Sequence, residues 1–302
     1  KKIWKYHPSA SKMKPQGPGW SWDDYSYYYA AERSPFPIFG NVVQAIYTAT
    51  SQQLVPKAFE KELLVDSLGA NLKRDKSKNQ FRYNPKSWKT RDTLYKPFIT
   101  SDTLFTRLLK QQIRQPVKME EQPLELAWEV LYTHQEERLY KALLQDSDNG
   151  IAEASLAMIS QSLFEKMDIQ KTIDTLQNHW STWLPDPLEW VDGSGISRYN
   201  LVTPRALIAV LKKIHQRVGW QKIQTYFPKS GVSGTLTAYP NLKNVYAKTG
   251  TLRHNHNLSG YWESPKGNKY AFSIMVNHYT TPTQGIREGI SKLLHLFQKK
   301  LN

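Results

Sequence analysis

Near the end of a predicted strand, Lys248-Thr249-Gly250 sets a cation, a hydroxyl donor and a residue with no side chain next to one another. An extended peptide can pair with such a strand edge while Lys248 and Thr249 reach its carboxylate by charge-assisted hydrogen bonds. Gly250 leaves the approach open. About a hundred residues earlier, LLQDSDNGIAEASLAMIS (143–160) holds Ser147-Asp148-Asn149 between two stretches with helical spacing. Either string alone is ordinary, because Ser, Asp and Asn are what a helix-to-helix connection contains and an exposed Lys-Thr-Gly strand end is common.

The elements that must hold these residues can be read from apolar spacing. THQEERLYKALLQ (133–145) opens with Thr133 and Glu136 at capping-box spacing, and Leu139, Tyr140, Leu143 and Leu144 form an apolar stripe that should end close to Ser147. Beyond it Ile151, Ala154, Met158 and Ile159 recur at helical spacing, with Asn149 where an N-cap belongs. VTPRALIAVLKKIHQRV (202–218) begins with Thr203 as cap and Pro204 in the first turn, and its inner face runs through Leu207, Leu211 and Ile214. NVYAKTGT (244–251), NLSGYWES (257–264) and NKYAFSIMVNHY (268–279) read as neighbouring antiparallel strands, with a PKGN turn between the last two. A final amphipathic helix over 286–301 should turn Ile290, Leu293, Leu294 and Phe297 inward.

The first hundred residues have a different texture. GPGWSWDDYSYYYAAERSPFPIFG (17–40) has turn punctuation without a helical period, and NVVQAIYTAT (41–50), NQFRYN (79–84) and TLYKPFI (93–99) read as short strands. From TLFTRLLKQQI (103–113) onward, with Leu104, Leu108, Leu109 and Ile113 on one face, helices begin, so a domain boundary is expected near residue 100.

Composition bounds the function. Lys and Arg total 41 against 26 Asp and Glu, a formal +15 that favours an anionic partner, such as a polymer or an envelope surface. Charge is the only feature that points to nucleic acid, and wall polymers account for it equally well. KRDKSK (73–78), PKSWK (85–89) and QKK (298–300) are most simply solvated loops and a helix end. The absence of cysteine excludes disulfides and thiolate catalysis, and no apolar run reaches the ~18 residues of a membrane span.

The two strings, in this order and context, resemble the motifs of penicillin-recognising serine enzymes. The chain resembles the penicillin-binding D-alanyl-D-alanine carboxypeptidases and endopeptidases whose catalytic domain carries a large insertion. The resemblance runs through PGWSWDD (18–24), SDNGIAE (147–153), DGSGISRYNLVTP (192–204), SGTLTAYP (233–240), AKTGTL (247–252), LSGYW (258–262) and AFSIMVN (271–277). It implies an α/β (α+β) fold: a penicillin-binding/β-lactamase-like catalytic domain over 100–302, helices flanking an antiparallel sheet, and a β-rich inserted domain over 1–99. It also implies a serine acyl-transferase acting on peptidoglycan peptides and β-lactams outside the cytoplasm, without metal or organic cofactor.

On the same basis Ser147, Asn149 and Lys248 are the catalytic residues expected in this chain. Ser147 would join Lys248 in a proton relay and Asn149 would hold the substrate backbone. Thr249, Gly250 and Thr251 would bind substrate, Thr251 through a backbone oxyanion-hole donor, whose loss typically costs ~3 kcal/mol of transition-state stabilisation.

The family also needs S-x-x-K at the start of a buried helix. Ser9 to Lys12 and Ser11 to Lys14 fit the letters, but they run into MKPQGPG (13–19), whose prolines and glycines forbid a continuing helix. No nucleophile is therefore assigned within the chain. Since Lys1 takes the place of Met, a trimmed chain with its serine upstream is expected. The alternative is a noncatalytic peptidoglycan-binding or scaffold homologue. A serine β-lactamase is a weaker third reading, because no Glu-bearing deacylation loop is found. His254 and His256 lack the carboxylate that would complete a metal site, and read as a polar loop. DGSG (192–195) reads as a tight turn shaping the site, and the aromatics of 25–29 as packing within the insertion.

Overall fold

The computed structural model describes residues 3–8, 13–47, 52–69, 72–87, 93–121 and 135–301. Its contacts separate two compact units, one of Lys1–Leu131, Ala152–Thr172 and Asp192–Ser197, the other of Tyr132–Ile151, Ile173–Val191 and Arg198–Asn302. Ser9, Ser11 and Lys12 lie outside the described residues, as do Thr133 of the predicted capping box and the ends of two predicted segments, 48–50 and 88–89.

The first unit is built from short strands: β1 (Trp4–Tyr6), β2 (Val42–Tyr47), β3 (Gln52–Val55), β4 (Leu63–Val65), β5 (Leu72–Arg74), β6 (Phe81–Tyr83) and β7 (Thr93–Pro97), followed by helix α1 (Asp102–Ile113) and β8 (Val117–Met119). They form a β3-β2-β7 antiparallel sheet, a mixed β4-β6-β5 sheet and a parallel β1-β8 pair. Period-two alternation sends Val43 and Ala45 inward from β2. They meet Leu54, Phe59, Phe81 and Phe98, and also Leu104 and Leu108 of α1, which Ser101 caps through Leu104 N at 3.1 Å. Leu104 and Leu108 of α1, which follow the division expected near residue 100, pack within this β-rich core. The 17–40 segment forms two 3-10 turns, Trp22–Ser26 and Tyr28–Ala30, in which Tyr27 stacks on Tyr29. The solvated reading of 73–78 fails at Arg74, which is buried against the Tyr25 ring and donates to the carbonyls of Asp75 and Tyr25.

Three of the resembling segments meet in a buried polar knot of this unit. Arg33 pairs with Glu153 at 3.4 Å, each side chain about one-twentieth exposed, and also donates to the Lys14 and Gln16 carbonyls. Glu153 accepts from the Ser194 N–H at 2.8 Å and hydroxyl at 2.6 Å. Asp192 closes the DGSG turn by accepting from Gly195 and Ser197 N–H, and it takes the Trp20 indole N–H at 2.8 Å. Burial, outweighing the Ser194 bonds and the Arg33 charge, pushes the Glu153 carboxyl above its usual range.

The second unit packs helices on an antiparallel sheet. It contains α2 (Glu136–Leu144), the start of α3 (Asn149–Phe164), most of α4 (Ile169–Trp180), α5 (Pro204–Tyr226), strands β9 (Val245–Leu252), β10 (Asn255–Glu263) and β11 (Lys269–Asn277), and α6 (Thr283–Leu301). The order is β11-β10-β9, with the 264–268 turn closed by the Ser264 N–H on the Asn268 carbonyl. One sheet face carries Val245, Ala247, Leu258 and Trp262 against Ile290 and Leu294 of α6. The other carries Tyr246 and Tyr261 against Leu211 and Ile223 of α5, where the Tyr261 hydroxyl donates to the Leu211 carbonyl at 2.7 Å. Gly260 faces Ala247 across the ladder, and a Cβ there would lie 2.2 Å from the Tyr246 carbonyl, so this pair requires glycine.

Three predicted faces are corrected. On α6 Leu293 and Phe297 point outward, and the buried line is Ile290, Leu294 and Gln298. On α3 Met158 and Ile159 are exposed, whereas Glu153, Leu156, Ala157 and Ser160 are buried. The α2 stripe is only half-buried; Tyr140 is exposed at its edge and rests against the Tyr226 ring.

Candidate active site

Ser147 occupies the short connection between α2 and α3 with φ 57°, a left-handed conformation uncommon for a residue with a side chain. Asp148, rather than Asn149, caps α3: its Oδ1 accepts from Ile151 N–H at 2.9 Å. The cap reading of Asn149 is thereby corrected, and Asn149 is the first residue of the helix, half-buried. Asp148→Ala is expected to cost about 1 kcal/mol of stability, measured by thermal unfolding. A loss below a few tenths would show the cap to be idle.

β9 presents its residues alternately. Val245, Ala247, Thr249 and Thr251 share one face, while Tyr246, Lys248 and Gly250 share the other. Lys248 Nζ donates to Ser147 Oγ at 2.6 Å and to the Thr249 carbonyl at 2.8 Å, so the two predicted strings do meet. Lys248 makes no ion pair among the described residues, and burial brings its ammonium down to about 8. A lysine held there can both give and take a proton near neutrality, which the ordinary value of 10.5 does not allow. Gly250 is exposed with nothing closer than 4.0 Å to the place of a Cβ, so a ligand strand can approach its backbone.

A second connection fixes Thr249. Its hydroxyl donates to Thr235 Oγ1 at 2.8 Å, and Thr235 N–H donates to the Gln145 carbonyl at 3.2 Å. Gly234 makes that approach possible, since at φ 54° a Cβ would stand 2.3 Å from the same carbonyl. Gln145 in turn donates through Nε2 to the Thr225 carbonyl. The turn at Gly234–Ala238 thus joins the residue two before Ser147 to the residue after Lys248. Neither Thr235 nor Gln145 is marked out by the sequence pattern; Gly234 followed by a hydroxyl is the available signal.

Thr251 is exposed on the strand, and its Oγ1 lies 2.7 Å from His256 Nδ1, its direct partner across the ladder. His256 Nε2 lies 2.6 Å from the Tyr239 hydroxyl. The polar-loop reading is corrected here, because His256 is wholly buried in β10. Burial, with the Arg287 charge adding to it, lowers its pKa to about 4, so the ring is neutral. His254 is at the β9-β10 turn, exposed, with Nδ1 on the Tyr279 carbonyl; the two histidines point to different surroundings.

Comparison with known proteins bears on the family and the fold. D-alanyl-D-alanine carboxypeptidase DacB of Haemophilus influenzae is 31% identical over 175 residues, covering 54% of this chain and 36% of that protein. Penicillin-sensitive carboxypeptidase A of Dictyostelium discoideum is 32% identical over 120 residues, covering 36% of this chain and 23% of that protein. The matches therefore span about a third or less of each relative's length. The fold is that of the crystal structure of penicillin binding protein 4 (dacB) from Haemophilus influenzae, with TM-score 0.74 and 21% identity over 98% of this chain and 74% of that one. Residues 87–296, well over half the chain, match the D-Ala-D-Ala carboxypeptidase 3 (S13) family of peptidases, and the chain belongs to that family.

Proposed function

We propose that Ser147, Asn149 and Lys248 to Thr251 form part of a serine acyl-transfer site for D-Ala-D-Ala-terminated peptidoglycan peptides, working outside the cytoplasm. The observation that carries this reading is the 2.6 Å bond from Lys248, a buried lysine with a lowered pKa, to Ser147 Oγ. The peptide extends along β9, its carboxylate accepts from Thr251, beside Thr249 whose own hydroxyl donates to Thr235, and the Asn149 amide holds its backbone. A serine hydroxyl gives its proton to the Ser147-Lys248 pair as its oxygen bonds to the penultimate D-Ala carbonyl carbon, the Thr251 N–H stabilises the oxyanion, and the pair passes that proton to the departing amine as the C–N bond breaks. Water then releases the acyl group.

In this reading neither Ser9 nor Ser11 is the attacking serine, because the prolines and glycines of MKPQGPG (13–19) follow both in the sequence. The β-lactam complex of the Haemophilus influenzae protein, TM-score 0.64 to this chain, supports β-lactams as ligands of the site. Calorimetric titration with diacetyl-L-Lys-D-Ala-D-Ala tests it: the D,D peptide is expected to bind and its L-Ala-L-Ala isomer to fail. Equal behaviour of the isomers sinks the proposal. Fluorescent penicillin should leave the 302-residue chain unlabelled, and stoichiometric label mapped to Ser9 or Ser11 would reinstate the nucleophile rejected above.

A further inference from the structure

Behind Thr251 is a hydrogen-bonded chain whose direction is fixed by burial. Tyr239 is 1% exposed, and His256 Nε2 is its hydroxyl's sole hydrogen-bond partner among the described residues. If Thr251 donated to Nδ1, the neutral ring would carry its proton on Nε2 and donate to Tyr239, leaving the buried Tyr239 O–H with nothing to donate to. A buried donor left unmade carries its full desolvation cost. In the opposite direction every group is satisfied: Tyr239 O–H donates to Nε2, Nδ1–H donates to Thr251 Oγ1, and the Thr251 proton is left to point away from the ring. Arg287 charge disfavours a second proton on His256, and α6, which carries Arg287, also packs on this sheet face.

We propose that Tyr239 and His256 are positioning residues that commit the exposed Thr251 hydroxyl to donating outward, so that the site selects a ligand ending in a free carboxylate over one ending in an amide. This rests on the reading of Thr251 as a ligand-facing residue, but the bond direction itself does not. A hydroxyl free to rotate can donate or accept, and would tolerate the amide's N–H; one whose lone pair is held by Nδ1–H offers its proton to the ligand. A ring neutral throughout the physiological range keeps that polarity constant.

Two measurements test the proposal on the full chain. Long-range proton–nitrogen NMR of the His256 ring is expected to show the Nδ1–H tautomer; the Nε2–H tautomer overturns it whether or not any peptide binds. Tyr239→Phe removes the terminal donor with little change in volume. It is expected to weaken diacetyl-L-Lys-D-Ala-D-Ala roughly tenfold while leaving the weaker binding of its C-terminal amide unchanged. An equal loss for both ligands would reduce the pair to a packing role and overturn the proposal. Failure of the unaltered chain to bind the D,D peptide would overturn the peptidase reading and, with it, the selection for carboxylate.

Discussion

Glu153→Ala is expected to remove about 3–5 kcal/mol of stability, because it strands the Arg33 guanidinium in a buried setting. The side chains of Arg33 and Glu153 are 5% and 4% exposed, so solvent cannot replace the lost carboxylate. The Lys14 and Gln16 carbonyls that Arg33 also reaches offer dipoles but no neutralising charge. Ser194 loses the acceptor of two bonds at the same time. Glu153→Gln, which keeps an acceptor for Ser194 but not the charge, should fall between. The raised pKa of Glu153 shows that burial of this carboxylate is only partly offset. It follows that Arg33→Met with Glu153→Met should recover most of the loss, since a packed apolar pair of similar volume has no desolvation cost to repay. Urea unfolding, read by hydrogen exchange in peptides spanning 14–33 and 152–164, measures all three. A loss below 1 kcal/mol for Glu153→Ala would mean that water or a rearranged Arg33 relieves the charge.

The same pair shows where sequence reading stops. α3 is apolar nearly all round, so periodicity could not say which side is inward, and it chose Met158 and Ile159. The inward face is chosen by Arg33, 120 residues away in the chain, which draws Glu153 in. α6 offered two adjacent apolar lines, 290/294 and 293/297, and only the sheet beneath it decides between them. Where the cause is local the sequence is sufficient: Thr203 caps α5 through Ala206 N–H with Pro204 beside it, as the residues themselves dictate. α4 was missed although Asp168, bonded to Lys171 N–H, is an ordinary helix-start signal. His256 was legible too, for it alternates in step with Leu258 and Gly260, which points it to the buried face of β10. The meeting of Ser147 with Lys248 was readable only from the order of two short strings, whereas the Thr235 and Gln145 links depend on a backbone contact that no local pattern announces.

Lys248→Met should make the folded chain more stable near neutral pH while abolishing peptide binding, and the gain should disappear in alkali. The sign follows from the lowered pKa. Below about 8 the lysine is protonated both in the fold and in the unfolded chain, and the fold bears the whole cost of burying the charge. Between about 8 and 10.5 the folded chain holds fewer protons than the unfolded one, so stability rises with pH; above that range both are neutral and the cost is gone. At ~1.4 kcal/mol per unit the shift corresponds to an upper bound on the order of 3 kcal/mol, and partial exposure of Lys248 together with its bond to Ser147 reduces the net gain to roughly 1–2. Tyrosines and other lysines titrate in the same range, so the quantity to measure is the difference between the two proteins in urea unfolding from pH 7 to 10.5. That difference should shrink steadily toward zero or change sign. A constant difference would mean that Lys248 titrates normally, and the 2.6 Å bond to Ser147 would then be a structural contact instead of a proton relay. A lysine whose removal stabilises the fold but empties the site is one that the structure retains for chemistry, at the expense of its own stability.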